Sequence, residues 1–144
     1  MSAGKRPARA AATKKVATKR ASAKPAAKAP DRVKEFGEFR RRMNERILEH
    51  DNQVVRRFFA LDTQTYKAGA LDLKTKELLG LVASMVLRCD DCISYHIAQC
   101  RDAGVNRDEF FEAFSVGLVV GGSIVIPHLR RAVDFLDQIE TAPA

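Results

Sequence analysis

Two cysteines and a histidine lie close together between Arg88 and His96. Cys89 and Cys92 are three residues apart, and His96 follows Cys92 by four residues. On an α-helix these spacings share one face, so the two sulfur atoms can reach bonding distance and the imidazole lies over the same face. A thiol reacts as its thiolate, which a helix N-terminus and a nearby base both favour. The spacing therefore predicts a dithiol that cycles to a disulfide, with His96 as its base.

Glu77 is the fourth candidate for this site. It precedes Arg88 by 11 residues, and His96 follows Arg88 by eight. An antiparallel pair of helices that turns at Arg88 would bring Glu77 and His96 within about one helical turn along the axis. A carboxylate there would orient the imidazole and raise its basicity. The alternative is a solvated Glu77 that only favours its own helix dipole.

Asp90 and Asp91 lie between the two cysteines. Their negative charges disfavour a neighbouring thiolate. The same charges suit the first turn of a helix. The sequence leaves open whether these aspartates affect the chemistry or only the stability of the helix.

The chain beyond Pro30 has the hydrophobic periodicity of helices and no alternating strand pattern. We expect an all-α domain of about six helices. The apolar face of the first should carry Val33, Phe36, Met43 and Ile47, and a second helix over about 52–67, broken by Gly69, should bury Val54, Val55, Phe58, Phe59 and Leu61.

Capping residues mark three of the four later helices. Asp72 should start the third, which ends near Leu87, and the fourth should begin near Cys89 and end at Gly104. Asn106 and Glu109 form a capping-box pair for a fifth helix that ends at Gly121 and Gly122. The inward residues of the fifth and sixth helices are predicted to be Phe110, Phe111, Phe114, Leu118, Leu129, Val133 and Leu136, with Pro127 in the first turn of the sixth.

The segment 115–126, SVGLVVGGSIVI, is apolar on nearly every side. A domain of this size has little interior in which to bury such a segment. Part of it is therefore predicted to form a subunit interface.

The first 30 residues differ in composition from the rest of the chain. They hold nine Lys and Arg and no acid, so they carry +9, whereas residues 31–144 carry 16 bases and 18 acids, or −2. Ala, Lys, Arg and Pro dominate, and Val16 is the only large aliphatic residue after Met1. We expect residues 1–30 to be a disordered basic tail and residues 31–144 to be one helical domain. Non-specific nucleic acid binding, a neutral solubilising extension and a transit peptide are the three interpretations of the tail.

Composition limits the cellular setting. No run of 18 apolar residues is present, so no membrane span is expected. Three cysteines, two of them adjacent on one helical turn, do not make a disulfide framework, and a reducing cytoplasm is the expected compartment. No nucleotide-binding loop is present and no cofactor is expected, so electrons should come from a protein or a small dithiol.

A structural zinc site is the competing interpretation of the same residues. Cys89, Cys92, His96 and Cys100 offer four donors, and His128 could add a ligand from elsewhere. All four donors would lie along one helix, whereas a tetrahedral ion usually takes ligands from two elements. We expect no metal, and we expect Cys100 to be a small buried hydrophobe. The tyrosines Tyr66 and Tyr95 are expected to be core residues, with a pocket lining as the alternative, and His128 is expected to be a packed or surface histidine.

The order of Glu77, Cys89-x-x-Cys92, His96 and Gly104 resembles the alkylhydroperoxidase D-like group within the carboxymuconolactone decarboxylase family. The segment TKELLGLVASMVLRCDDCISYH is similar to the helix-turn-helix core of that group, and the likeness covers about residues 45–139. The resemblance implies an orthogonal all-helical fold and subunits assembled as trimers or hexamers.

The resemblance also implies roles for the site residues. Cys92 would attack a peroxide, Cys89 would resolve the sulfenic acid as a disulfide, and His96 and Glu77 would relay protons. The implied activity is a thiol-dependent peroxidase or disulfide reductase.

One position departs from the pattern. Peroxidases of this group often have a histidine directly before the second cysteine, where this chain has Asp91. The departure puts a high peroxidase rate in doubt and favours a disulfide as the alternative substrate. A lactone decarboxylase is a further alternative, but that branch does not depend on a Cys-x-x-Cys pair. An interaction module that binds nucleic acid through its tail and oligomerises through its helices remains the non-enzymatic alternative.

Overall fold

The structure, a computed structural model, describes residues 31–141. The predicted tail over residues 1–30 lies outside this range. Within it the chain folds as six α-helices and one short 3₁₀ turn, with no strand, so the all-α prediction and the number of helices are confirmed. None of these helices is both long and apolar enough to cross a bilayer. The helices are α1 (Arg32–Glu49), α2 (Gln53–Thr65), α3 (Leu73–Leu87), α4 (Asp90–Asp102), α5 (Arg107–Gly121) and α6 (Ile126–Thr141), and the 3₁₀ turn is Ser123–Val125.

The hydrophobic core lies among α3, α4, α5 and α6. Helix α3 packs against both α4 and α5, and α6 packs against α4. Burial of large apolar side chains is the main favourable term in folding, at about 25 cal/mol per Å² of apolar surface. The largest fully buried apolar side chains are Phe110, Phe114, Phe135, Leu81, Met85, Ile93, Ile97 and Leu136.

Side-chain caps mark the starts of α3 and α5, and a glycine follows the end of α4. The Asp72 carboxylate accepts from the Thr75 amide at 2.7 Å at the start of α3. Asn106 accepts from the Glu109 amide at 3.0 Å, and Glu109 accepts from the Asn106 amide at 2.8 Å, which completes the predicted capping box of α5. Gly104, with φ of 79°, lies just past the end of α4 in a left-handed conformation that glycine adopts without strain.

Helix α1 packs on α6 through its first half. The rings of Phe36 and Phe135 meet edge to face with centroids 5.7 Å apart. Arg32 forms an ion pair with Asp134 at 2.6 Å, and its backbone amide donates to the Gln138 side chain at 2.9 Å. These contacts hold α1 across the outer face of α6.

The predicted burial of α2 is wrong. No residue of α2 is buried; Val55 and Phe59 are half-buried, whereas Val54, Phe58 and Leu61 are exposed. Periodicity correctly identifies an apolar face, but no element within residues 31–141 covers it. The prediction for Phe111 is wrong for a similar reason, since this side chain lies at the edge of α5 and is exposed, while Phe110 and Phe114 are buried.

The capping box predicts a measurable loss of stability on Asn106→Ala. Removing the side chain leaves the Glu109 amide without its partner, and the loss of an N-cap typically costs about 1 kcal/mol. Urea unfolding monitored by circular dichroism measures this difference. The matched control is Asn44→Ala within α1, whose side chain makes no hydrogen bond among the residues described. Equal stability of the two variants would contradict a role for the capping box.

Candidate functional site

A tight turn joins α3 to α4. Arg88 ends α3 with φ of 60° and ψ of 37°, a left-handed conformation that non-glycine residues adopt infrequently. The Arg88 amide donates to the Met85 carbonyl, and the Cys89 amide donates to the Ser84 carbonyl, both at 3.1 Å. Helix α4 therefore begins at once and returns along α3 as the predicted hairpin.

The cysteine pair lies at the N-terminus of α4. Cys89 is the N-cap residue and Cys92 lies in the first turn. Their sulfur atoms are bonded as a disulfide across Cα atoms 5.2 Å apart, within the ordinary range for such a bond. Cys92 is exposed and Cys89 is half-buried. The predicted proximity of the two sulfurs is confirmed, and their catalytic roles stay predictions.

A buried hydrogen bond joins Glu77 of α3 to His96 of α4. The distance from Glu77 Oε2 to His96 Nδ1 is 2.8 Å, and the two residues are only 1% and 7% exposed. The approach predicted from helix geometry is therefore confirmed, and the solvated alternative for Glu77 is wrong. A carboxylate can only accept a hydrogen bond, so Nδ1 carries the proton and Nε2 of the neutral ring is left as an acceptor. His96 can therefore take up a proton at Nε2.

Tyr66, the C-cap residue of α2, lies at the other side of the imidazole. Its hydroxyl is 3.4 Å from His96 Nε2. Burial, followed by the charge of Glu77, raises the pKa values of Tyr66 and Tyr95, so both phenols stay protonated at neutral pH. The expectation that these tyrosines are core residues is wrong. Both are only partly buried and their rings pack on the imidazole of His96, with centroids about 5 Å from its own.

Glu77, Tyr66 and Tyr95 also line a pocket of about 350 Å³ that includes Gln99. The pocket opens on the α2 side of the hairpin. A small molecule in this pocket would contact Glu77 and the two tyrosines that pack on His96.

Gly80 provides the space that His96 occupies. A Cβ atom built at Gly80 would lie 2.5 Å from His96 Cε1, well below any normal contact. Gly80 is one turn from Glu77 on the same face of α3, so the ring fits between them. The spacing of the cysteines, His96 and Glu77 did not point to this residue, although a glycine inside a helical pattern is itself a signal of close approach.

An ion-pair cluster surrounds the first aspartate of the motif. Asp90 Oδ1 is 2.8 Å from His128 Nδ1, and Asp90 Oδ2 is 2.8 Å from Arg131 Nε. Partial burial acts to raise the pKa of Asp90, but the hydrogen bonds from His128 and Arg131 outweigh it and hold the pKa below its ordinary value. The charge of Asp90 next to the cysteines is thus compensated from α6, which the sequence spacing did not reveal.

Cys100 takes no part in the contacts around the cysteine pair and His96. It is fully buried, and burial raises the pKa of its thiol to about 12, so it stays protonated and unreactive. Its expected role as a small buried hydrophobe is confirmed. Among residues 31–141 no three His, Cys, Asp or Glu side chains are grouped in a way that could hold a metal ion.

The close approach of Gly80 to the imidazole predicts that Gly80→Ala displaces His96. The added methyl group has no space, and such overpacking typically costs about 1–3 kcal/mol. Thermal unfolding measures the loss, and the chemical shifts of the imidazole protons report the movement of the ring.

The matched control is Gly37→Ala, inside α1, where an added Cβ meets nothing within 4 Å. This change should raise stability by about 0.5–1 kcal/mol because alanine favours helix. Gly80→Ala with unchanged stability and unchanged imidazole shifts would mean that the ring is not confined by this glycine.

Comparisons with known proteins agree with this architecture. The sequence model of the carboxymuconolactone decarboxylase family matches residues 52–135. An uncharacterized protein of the cox locus of Paracoccus denitrificans is 31% identical over 85 residues, which cover 59% of this chain and 77% of that protein.

Solved structures show the same fold. One crystal structure of a Thermotoga maritima protein is 57% identical to the matched part of this chain, has a TM-score of 0.73, and covers 74% of this chain and 94% of its own. A second is 56% identical, has a TM-score of 0.71, and covers 74% of this chain and 90% of its own. One of them is described as a carboxymuconolactone decarboxylase family protein with a possible involvement in the antioxidative response. A family protein from Legionella pneumophila shares the fold at 21% identity and a TM-score of 0.70, over 76% of this chain and 97% of its own. The chain belongs to the carboxymuconolactone decarboxylase family.

Proposed function

We propose that this protein is a thiol-dependent oxidoreductase that cycles Cys89 and Cys92 between dithiol and disulfide. Cys92 attacks the substrate, Cys89 resolves the product, and His96 with Glu77 relays the proton. A hydroperoxide or a disulfide is the substrate, and a protein or small dithiol is the reductant. A reducing compartment such as the cytoplasm would supply that reductant.

The observation that carries this proposal is the buried hydrogen bond between Glu77 and His96, one helical turn from the cysteine pair. Burying a carboxylate costs desolvation free energy, so a buried carboxylate needs a hydrogen-bonding partner that compensates for this cost. An imidazole held in this way keeps its proton at Nδ1 and leaves Nε2 as an acceptor, and general base catalysis typically contributes about 10²–10⁴-fold in rate. The pair therefore suits proton transfer from a thiol.

The peroxide reaction balances with these groups. His96 takes the Cys92 proton, the thiolate attacks the peroxide oxygen, and the O–O bond breaks. His96 returns the proton to the leaving alkoxide, which gives an alcohol and Cys92 sulfenic acid. The Cys89 thiol then attacks that sulfur, the disulfide forms and water leaves. A dithiol reductant restores both thiols and becomes a disulfide itself.

The exposure of the two cysteines supports the order of these steps. Cys92 is exposed and can meet a substrate, whereas Cys89 is half-buried at the N-cap position, where the helix amides favour a negative sulfur. A sulfur stabilised in this way is a good leaving group when the disulfide is reduced at Cys92.

The aspartates between the cysteines bear on the choice of substrate. Asp90 is compensated by His128 and Arg131, but Asp91 is exposed and makes no ion pair among residues 31–141. Asp91 therefore remains the anion that opposes thiolate formation beside Cys92. Asp91 also stands where peroxidases of the resembling group often have a histidine, so a disulfide substrate stays an alternative to a peroxide.

The relative from Thermotoga maritima supports an antioxidative role for the same fold. The retained cysteine pair argues against lactone decarboxylation. Nucleic acid binding by residues 1–30 stays a prediction from charge alone, since these residues lie outside the described structure.

A thiol titration tests the reaction class. The reduced full-length protein should lose two of its three thiols per chain on addition of one equivalent of hydrogen peroxide, and a dithiol reductant should restore them. The same titration with a small disulfide in place of peroxide distinguishes the two substrate classes.

Two variants identify the thiols in that experiment. Cys92→Ser should reduce consumption of either oxidant to the uncatalysed rate, whereas Cys100→Ala should still lose two thiols per chain because the Cys100 thiol is buried. Oxidation of Cys92→Ser at the wild-type rate would refute the proposal.

The relay predicts that Glu77→Gln slows thiol oxidation by about 10²-fold near neutral pH, because the imidazole loses the carboxylate that keeps its proton at Nδ1 and leaves Nε2 as the acceptor. Stopped-flow oxidation as a function of pH measures this, and the difference from wild type should shrink at high pH, where hydroxide deprotonates the thiol directly. Glu38→Gln, an exposed change on α1, should leave the rate unchanged. A Glu77→Gln variant with native circular dichroism and the wild-type pH profile would rule out a relay through Glu77.

A further inference from the structure

The one proton acceptor that His96 has left is occupied by Tyr66. His96 Nδ1 donates to Glu77 at 2.8 Å, so Nε2 is the only ring nitrogen with a lone pair to offer. The Tyr66 hydroxyl lies 3.4 Å from this nitrogen. Catalytic hydrogen bonds are often this long before a substrate binds. A proton that reaches or leaves Nε2 must therefore displace this hydroxyl or pass through it.

Lys76 holds the backbone of Tyr66 in place. Its ammonium group donates to the carbonyl of Thr65 at 2.8 Å and to that of Lys67 at 2.7 Å, the residues on either side of Tyr66. Lys76 directly precedes Glu77, so the helix that supplies the buried carboxylate also fixes the end of α2. The tyrosine ring packs on the imidazole with centroids 5.3 Å apart. Displacement of the hydroxyl would break these contacts, which favours passage of the proton through it.

A phenol suits both protonation states of the imidazole. It donates to the lone pair of neutral Nε2 and accepts from Nε2–H of the imidazolium. The charged and titratable groups around it are Glu77 of α3, Asp62 of α2, and His96 and Tyr95 of α4. Burial, followed by the charges of Glu77 and Asp62, raises the pKa of Tyr66, so the phenol keeps a proton to pass on. A phenol that gains one proton as it loses another never becomes a phenolate beside these carboxylates.

The pocket beside Tyr66 leads toward Cys92. Tyr66, Tyr95 and Gln99 line this pocket of about 350 Å³. Cys92 precedes Tyr95 by three residues and Tyr95 precedes Gln99 by four, so the three share one face of α4. The pocket wall thus continues along α4 to the exposed nucleophile one turn away. A water molecule or a substrate in the pocket can meet both the thiol and the phenol.

We propose that Tyr66 is a proton-shuttle residue that acts through His96 and connects Nε2 to the pocket. This inference deepens the proposed function and rests on it. As Cys92 ionises, a pocket water takes the thiol proton and gives one to the phenol oxygen, while the phenol proton moves to Nε2. As the O–O bond breaks, Nε2–H gives its proton to the phenol oxygen, and the phenol protonates the leaving alkoxide. One proton passes from thiol to alkoxide, and the water, Tyr66 and His96 end unchanged.

Tyr66→Phe tests the shuttle because it removes the hydroxyl and keeps the ring. Stopped-flow oxidation of the reduced full-length variant by tert-butyl hydroperoxide should be slower than that of wild type by roughly tenfold near neutral pH, since water replaces one member of a proton-transfer chain. The difference should shrink at high pH, where hydroxide removes the thiol proton. The solvent deuterium isotope effect on the rate should also change, which the loss of a packing contact alone would not cause.

Tyr95→Phe is the matched control for the contact at Nε2. The Tyr95 ring also packs on His96, but its hydroxyl makes no hydrogen bond to the imidazole among residues 31–141. In the disulfide form, the ¹⁵N resonance of His96 Nε2 should shift in Tyr66→Phe and keep its wild-type position in Tyr95→Phe. This measurement needs no turnover, so it tests the contact separately from the redox reaction.

Lys76→Met tests whether the backbone of Tyr66 must be held. The change keeps the length of the side chain and removes both hydrogen bonds to the end of α2. It should slow oxidation in the wild-type background and add nothing in the Tyr66→Phe background, because Lys76 acts only through the Tyr66 hydroxyl. Additive effects of the two changes would contradict this coupling.

The shuttle is overturned if Tyr66→Phe keeps the wild-type rate, pH profile and isotope effect, or if the Nε2 resonance moves equally in both phenylalanine variants. The two levels of the argument fail differently. A wild type that loses no thiols to either oxidant refutes the proposed function and the shuttle with it. Oxidation of wild type and Tyr66→Phe at the same rate refutes the shuttle alone.

Discussion

The hydrogen bond between Glu77 and His96 is the interaction on which the arrangement of the site depends. Both groups are withdrawn from water, and each satisfies the other at 2.8 Å. A buried carboxylate without such a partner costs several kcal/mol, on the order of 3–5 kcal/mol when one partner of a pair is removed. The pair therefore fixes how α3 and α4 are rotated about their axes. Once that rotation is fixed, the cysteines at the start of α4 have only one position.

Several local features make this hydrogen bond possible. The left-handed Arg88 lets α4 turn back on α3 with almost no connecting chain, and Gly80 leaves room for the imidazole. Neither residue carries chemistry. Arg88 shortens the connection between the two helices, and Gly80 leaves the imidazole free of a side-chain clash, so Glu77 and His96 can meet.

The electrostatic surroundings of the cysteines come from three helices. Helix α4 supplies its N-terminus and the two aspartates, α3 supplies the carboxylate behind the imidazole, and α6 supplies His128 and Arg131, which bind Asp90. Compensation of Asp90 removes one of the two charges that oppose a thiolate. The electrostatic repulsion of a thiolate is therefore weaker than the local sequence suggests, and Asp91 is the remaining unfavourable charge.

Within residues 31–141 the helices leave part of their apolar surface exposed. Helices α3 to α6 enclose one core, but the outer face of α2 and the groove between α3 and α5 are open among the described residues. Helix α2 ends at the tyrosine that contacts His96, so one short helix links this exposed apolar face to the geometry of the site.

The sequence by itself determined the features that depend on neighbours a few residues away. Capping preferences identify Asp72 and Asn106 as helix starts and Gly104 as the residue just past the end of α4. The helical period predicts that the two cysteines share one face. The approach of Glu77 to His96 was also predictable, because a hairpin with its turn at a known residue fixes axial offsets by arithmetic.

Only the tertiary structure decided which distant groups meet. The contact of Tyr66 with His96, the pairing of Asp90 with His128 and Arg131, and the exposure of the apolar face of α2 all join elements far apart in sequence. Periodicity tells which face of a helix is apolar, but it does not tell what covers that face. A surface buried by the same chain and one buried by another molecule have the same pattern, because water is excluded equally well by either.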